Sequence, residues 1–390
     1  MTLIRTSVID SKRNFRGAVD VRPMGTPRAN VLYQIPGKLG ISDSSYYIDS
    51  QSHAWAWGYN FHGQLGQGSN KNNTSSPVSV VGGKQFSQIS GGSYHCLALD
   101  VSGYAWAWGD NSSGQLGQGT TLANRSSPVS VVGGRQFVKI DGGYAHTLAS
   151  DTLGYVWAWG DNTYGQLGQG TTVASFSSPV SVVGGKQFSQ ISSGSYHALV
   201  LDSLGYAWAW GRNNFGQCGQ GSNKNDVSSP VSVVGGYQFA QISAGGNLCL
   251  ALDANGYAWA WGRNALGQLG QGTTVADFSS PVSVVGGKQF FQIAVGLTHC
   301  LALDINGYAW AWGDNTYGQL GQGTTLANFS SPVSVVGGKK FTQIMSGTNH
   351  SLALDVRGVI WSWGINNLGQ LGINVASSAS SPVMVVRLFS

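Results

Sequence analysis

A block ending in Trp-Gly returns along this chain at a fixed interval. Its glycine falls at Gly58, Gly109, Gly160, Gly211, Gly262, Gly313 and Gly364, each 51 residues after the last. The proline of a Ser-Ser-Pro triplet keeps the same step at Pro77, Pro128, Pro179, Pro230, Pro281 and Pro332, and Pro382 arrives one residue early. Seven such units fill almost all of the 390 residues. Nothing else constrains the fold as strongly, because a unit this short cannot bury a core alone and must stack on its neighbours.

Within a unit the pattern is that of short strands. QFSQIS (187–192), HALVLD (197–202), YAWAWG (206–211) and SPVSVV (178–183) are each about six residues long. They alternate or are rich in β-branched residues, with Gly, Asn and Asp between them. Asp202 to Gly205 reads as a tight turn joining two of them. No helical apolar period of useful length occurs. Four strands repeated seven times predict an all-β, seven-bladed β-propeller over residues 35–390.

The two tryptophans of each block stand at i and i+2, so both indoles share one face of a strand and only Ala occupies the other. All 14 tryptophans of the chain belong to these seven pairs. Burying one removes roughly 150–250 Å² from water, several kcal/mol at about 25 cal/mol/Å², so the pairs read as frame. The first unit aligns well only from Ile48, and the last stops after SPVMVVRLFS. A ring closed by the C-terminal strand, lying against the N-terminal blade segment, is therefore expected.

Charge separates a second region. The chain has no Glu, and residues 1–38 carry Arg5, Lys12, Arg13, Arg16, Arg22, Arg28 and Lys38 against only Asp10 and Asp20. The rest of the chain is balanced, so the net charge of +5 sits at the N-terminus. A neutral body without a basic stripe argues against nucleic-acid binding by the propeller. No apolar run reaches 18 residues, so no membrane span is expected. The start lacks the apolar stretch of a signal peptide, so synthesis in the cytoplasm is expected, with later incorporation into an extracellular particle left open. Residues 1–34 belong to no repeat. Two prolines, scattered arginines and several apolar residues suit an extended arm that attaches to another protein or a larger assembly.

GSYHALVLDSLGYAWAWGRNNFGQCGQG (194–221) resembles the repeat of the regulator of chromosome condensation family, in which Gly and His precede Ala-Leu, a Gly turn, Trp-Gly, Asn and Gly-Gln-Leu-Gly. The resemblance covers roughly residues 48–390 and implies a seven-bladed propeller. It implies no single activity, because one fold hosts many. The family includes an exchange factor for a nuclear small GTPase, an ultraviolet photoreceptor, ubiquitin-ligase accessory domains and a β-lactamase inhibitor. The unvarying 51-residue step leaves no room for the exchange factor's inserted wedge, and the photoreceptor's Gly-Trp-Arg-His-Thr motif is absent.

Residues that carry chemistry elsewhere read here as frame. His95, His146, His197, His299 and His350 share one slot, with Ser44 and Leu248 in the other units. Cys96, Cys249 and Cys300 follow that slot, and Cys218 replaces the Leu of GQLGQG; reduced thiols serving as small apolar residues are expected. Without zinc spacing no metal is expected. Asp100, Asp202, Asp253, Asp304 and Asp355 stand where each would cap its own turn. With no nucleophile elbow, phosphate loop or dinucleotide fingerprint, neither an enzyme nor a cofactor is expected.

Positions where the copies disagree are those that packing does not fix. After Trp-Gly come Tyr59, Asp110, Asp161, Arg212, Arg263 and Asp314, each followed by an Asn expected to tolerate left-handed backbone. A little further on stand Tyr164, Phe215 and Tyr317, and before Ser-Ser-Pro stand Phe176, Phe278 and Phe329. Aromatics on polar loops are the residue type that anchors partners. The sequence thus predicts a non-enzymatic binding or display scaffold. Its partner is expected to be a protein and its arm an anchor, as in a virion or appendage component. Regulation of a small GTPase, or glycan binding in adhesion, remain alternatives.

Overall fold

A computed structural model describes residues 38–68, 71–222 and 224–386. The basic residues expected to anchor the arm, Arg5 to Arg28, lie outside the described residues. Among the described residues are 28 strands and no helix. They form seven four-stranded antiparallel meanders, blades one to seven, over residues 38–79, 86–130, 139–181, 188–232, 239–283, 290–334 and 341–384. Strands follow chain order within a blade, and the first strands pack against one another around the axis. The expected seven-bladed propeller is present.

The two tryptophans of a pair do different jobs. The second, from Trp57 to Trp363, is fully buried in every blade. Its indole N–H donates to the backbone carbonyl of a glutamine in the preceding blade, as Trp108 does to Gln64 at 2.8 Å and Trp312 to Gln268 at 3.0 Å. The first is half-buried and donates to the turn aspartate, as Trp106 does to Asp100 Oδ2 at 3.0 Å. That same carboxylate accepts the N–H groups of Ser102 and Tyr104, so it caps its turn and holds an indole at once. The outer face of the first indole is covered by a cation in five blades, for example Lys84 over Trp106 and Arg135 over Trp157.

A second link crosses the interfaces through the histidine slot. His299 Nε2 lies 3.0 Å from Ser351 Oγ of the next blade, and that hydroxyl donates to the Gln319 carbonyl at 2.8 Å. A hydroxyl already donating must accept from the imidazole, which places the ring proton on Nε2. Thr147, Cys249 and Ser45 play the same part for His95, His197 and His350. The thiols of Cys249 and Cys300 are therefore links to the Gln217 and Gln268 carbonyls as well as small core groups.

The ring closes where the C-terminal blade lies against blade one. The last strand, Ala379–Met384, hydrogen-bonds to Ile360–Gly364 of its own blade, and Lys38–Ile41 with Ser44–Ile48 completes blade one. The first and last blades meet by packing: Val385 joins Leu39, Tyr47 and Trp57 in one apolar cluster. Trp57 and Ser45 both donate to the Gln370 carbonyl of blade seven, at 3.0 and 2.9 Å. The Thr348 N–H donates to the Ser42 carbonyl at 3.1 Å, carrying across the seam the inter-blade backbone bonds that run near the axis from blade two to blade seven. Blade one needs no borrowed strand because its first two strands are its own.

Candidate partner-binding face

Each second strand starts, and each third strand ends, on one face of the disc, here the upper face. There the chain turns at the glycine of Trp-Gly. Gly313 has φ +101°, and a Cβ on it would stand 2.5 Å from the Thr298 carbonyl oxygen. Only glycine meets both conditions. The chain then enters a loop held by the asparagine that follows the variable residue. Asn111 Oδ1 accepts from the Leu116 N–H at 3.2 Å, and its amide donates to the Thr120 carbonyl at 2.9 Å. This corrects the expectation of left-handed backbone, since positive φ outside glycine occurs only at Ser52 and Asn374 among the described residues. The asparagine is a side-chain brace.

The predicted rim residues divide. Asp110 and Asp314 are turned into their loops and buried, at 8% and 7% exposure. Each accepts from a nearby hydroxyl and from a loop glutamine, Gln115 at 2.7 Å and Gln319 at 2.9 Å. Asp161 is bound in the same way by Thr163 and Gln166. In blade one Tyr59 replaces this aspartate, and Gln64 Nε2 has no partner among the described residues. Phe176, Phe278 and Phe329 open the fourth strands of blades three, five and six and lean half-buried on the core, instead of standing in the loop before them. Tyr317 is the most open of the predicted aromatics, at 40% exposure.

The remaining residues come together with three tyrosines that sequence reasoning missed. Ring centroids run Tyr59 to Tyr94 at 6.0 Å, Tyr94 to Tyr144 at 5.6 Å, Tyr144 to Tyr196 at 5.1 Å and Tyr196 to Tyr164 at 5.3 Å. This arc crosses blades one to four. Arg212 sits over Tyr164 at 4.9 Å and over Tyr196 at 5.7 Å, and Arg263 lies over Phe215 at 5.0 Å. All are half-buried, each with one side in contact with the disc. Tyr94 and Tyr196 stand one residue before the histidine slot, where the copies read Asp43, Tyr94, Ala145, Tyr196, Asn247, Thr298 and Asn349. The same comparison of unlike positions would have found them.

The imidazoles beneath the arc are closed to chemistry. Burial lowers His95, His197 and His350 to about 3 and His146 and His299 to about 4, so they stay neutral at ordinary pH. Burial also pushes the Cys96, Cys218, Cys249 and Cys300 thiols well up. The His197–Cys249 contact of 3.2 Å is thus a neutral structural pair, not an activated nucleophile. Among the described residues no three His, Cys, Asp or Glu side chains group as metal ligands. On the opposite face, the turn tips expose Val101, Leu153, Leu204, Ile305 and Val356.

Fold and site together define a seven-bladed propeller with a tyrosine-rich upper face. Six stretches, residues 52–99, 102–150, 154–201, 205–252, 255–303 and 306–354, match the regulator of chromosome condensation (RCC1) repeat, and the chain belongs to that family. It is 32% identical over 309 residues to the ultraviolet-B receptor UVR8 of Arabidopsis thaliana, covering 76% of this chain and 69% of that protein. It is 30% identical over 327 residues to the human E3 ubiquitin-protein ligase HERC2, covering 80% of this chain and only 7% of HERC2. Among solved structures, human WBSCR16 superposes with a TM-score of 0.78 at 25% identity, over 86% of this chain and 95% of that one. Yeast RCC1 (Prp20), in its complex with Kap60, gives 0.78 at 21% identity over 97% and 91%, a likeness of fold.

Proposed function

We propose that this chain is a non-catalytic protein-binding propeller, that its upper face receives a protein partner, and that residues 1–34 fasten it to a larger assembly such as a particle or appendage. The tyrosine arc carries the reading. Continuous half-buried aromatic rings flanked by Arg212 and Arg263 present large, rigid contact area at low entropic cost. Buried neutral imidazoles and protonated thiols support a binding role over a catalytic one. The charge confined to the N-terminal residues supports a separate job for the arm.

Capture experiments test both halves. Deleting residues 1–34 should release the chain from its assembly and leave the face able to bind. Replacing Tyr164, Phe215 and Tyr317 together with Ala should weaken the partner without lowering the melting temperature; unchanged binding would remove this part of the face. Faster nucleotide release from a small GTPase, or glycan-array hits lost in that triple variant, would favour the alternative partners. Prp20p of Saccharomyces cerevisiae binds Gsp1p and histones, and at 22% identity that likeness supports only the scaffold on which such binding is built.

A further inference from the structure

At the seam between blades seven and one the upper face opens into a cleft of about 320 Å³, lined by Asp43, Tyr59, Tyr94, Asn349, Ile365 and Leu368 among others. Asp43 immediately precedes the second strand of blade one. Its carboxylate accepts a hydrogen bond from Thr348, while burial raises its pKa. Among the described residues no cationic side chain pairs with it. The upper-face aspartates after Trp-Gly, Asp110, Asp161 and Asp314, each receive a loop glutamine, whereas Asp43, before the histidine slot, receives none. It is a partly desolvated carboxylate short of donors, a costly arrangement when nothing fills it.

The cleft's walls fit the missing group. Tyr59 and Tyr94 meet edge to face at 6.0 Å. Asp43 lines the same cleft as both rings. Burial first raises both of their hydroxyl pKa values, with the Asp43 charge next at Tyr59 and behind Tyr144 at Tyr94. Aromatic faces and a carboxylate together favour a cation, and Ile365 and Leu368 suit the aliphatic stem behind it. Arg212 and Arg263 are held over other rings of the arc. With no group of three metal ligands among the described residues, the site suits an organic cation over a metal ion.

The geometry points to this seam cleft as the receptor for one lysine or arginine side chain of the protein partner. The inference rests on the reading that the upper face binds a protein, and it adds the chemistry of the anchoring residue. Charge complementarity selects this occupant, because an apolar anchor would leave the carboxylate buried and unpaired.

Saturation-transfer NMR on the full chain tests it, with n-butylammonium and n-propylguanidinium as probes and n-butanol as the neutral control. Both cations should bind more tightly than butanol. Asp43→Asn should weaken them roughly tenfold, to the level of butanol, and Tyr59→Leu should weaken them several-fold. Butanol binding as well as the cations to the unaltered chain would overturn the proposal, whatever the variants do. So would unchanged cation binding in a folded Asp43→Asn. Partner capture that still depends on Tyr164, Phe215 and Tyr317, alongside a cleft indifferent to charge, would remove the cleft and leave the face.

Discussion

Ala198→Ser should stabilise this protein. At four blade interfaces a hydroxyl or thiol joins an imidazole to a glutamine carbonyl, with the serine links the shortest at 2.8–3.0 Å. In blade four that position is Ala198, so His146 is fully buried with neither ring nitrogen bonded. The acceptor is already in place, since the Gln166 carbonyl takes the Trp210 indole N–H at 2.9 Å and has a second lone pair. A serine hydroxyl would donate to that carbonyl and accept from His146. The net gain for one such bond is about 1 kcal/mol, and relief of a buried unpaired nitrogen can raise it to about 3 kcal/mol. The mirror change, Ser351→Ala, strips His299 of its partner and should cost about 1–3 kcal/mol. Urea unfolding read by tryptophan fluorescence should show the midpoint rising for the first variant and falling for the second, at constant slope. A lower midpoint for Ala198→Ser together with a silent Ser351→Ala would refute the idea that the histidine slot is a hydrogen-bonded link.

The same histidines make the fold acid-labile. With folded pKa values near 3–4 against about 6.5 unfolded, each of the five imidazoles gives stability that is full above pH 6.5 and lost as pH falls toward 4, at about 1.4 kcal/mol per pH unit. Asp141, raised to about 6 by burial, works the other way and offsets about one of these protons. The urea midpoint should therefore fall steeply between pH 6 and 4, and His146→Leu should flatten that slope by one proton; a flat profile would contradict the burial. Gly313→Ala forces a methyl to 2.5 Å from a carbonyl at φ +101° and should cost more than about 2 kcal/mol, read as a lower melting temperature. Removing residues 381–390 takes four of the six residues of the last strand, and Val385 from the seam, so the melting temperature should drop sharply.

Much of the fold was legible because its cause is written in every copy. A fully buried tryptophan, a turning glycine and a capping aspartate recur at one spacing, and packing between blades allows little variation. The opening strands of blade one were hard to read because SSYYI, its second strand, matches the histidine strands only at Ser45, the counterpart of Ser351, although Tyr46 and Tyr47 fill the same layer. Asp110 and Asp314 read as rim charges because the glutamine that binds each lies five residues on, inside a motif that looks like a bare glycine turn. The phenylalanines before Ser-Ser-Pro read as loop because polar residues surround them, yet their strands begin there. The tyrosine arc was hardest to see. Its members come from four repeat positions in different blades. Tyr144 enters one residue out of register with Tyr94 and Tyr196, so only the ring brings them side by side.

Photo-cross-linking from both faces tests the central claim most directly. A benzoylphenylalanine placed at Tyr144 in the arc, or at Leu204 on the opposite face, reports which surface the captured partner touches. The account predicts a cross-linked partner from position 144 and none from position 204. The same adduct from position 204 alone would place binding on the other face and contradict the account.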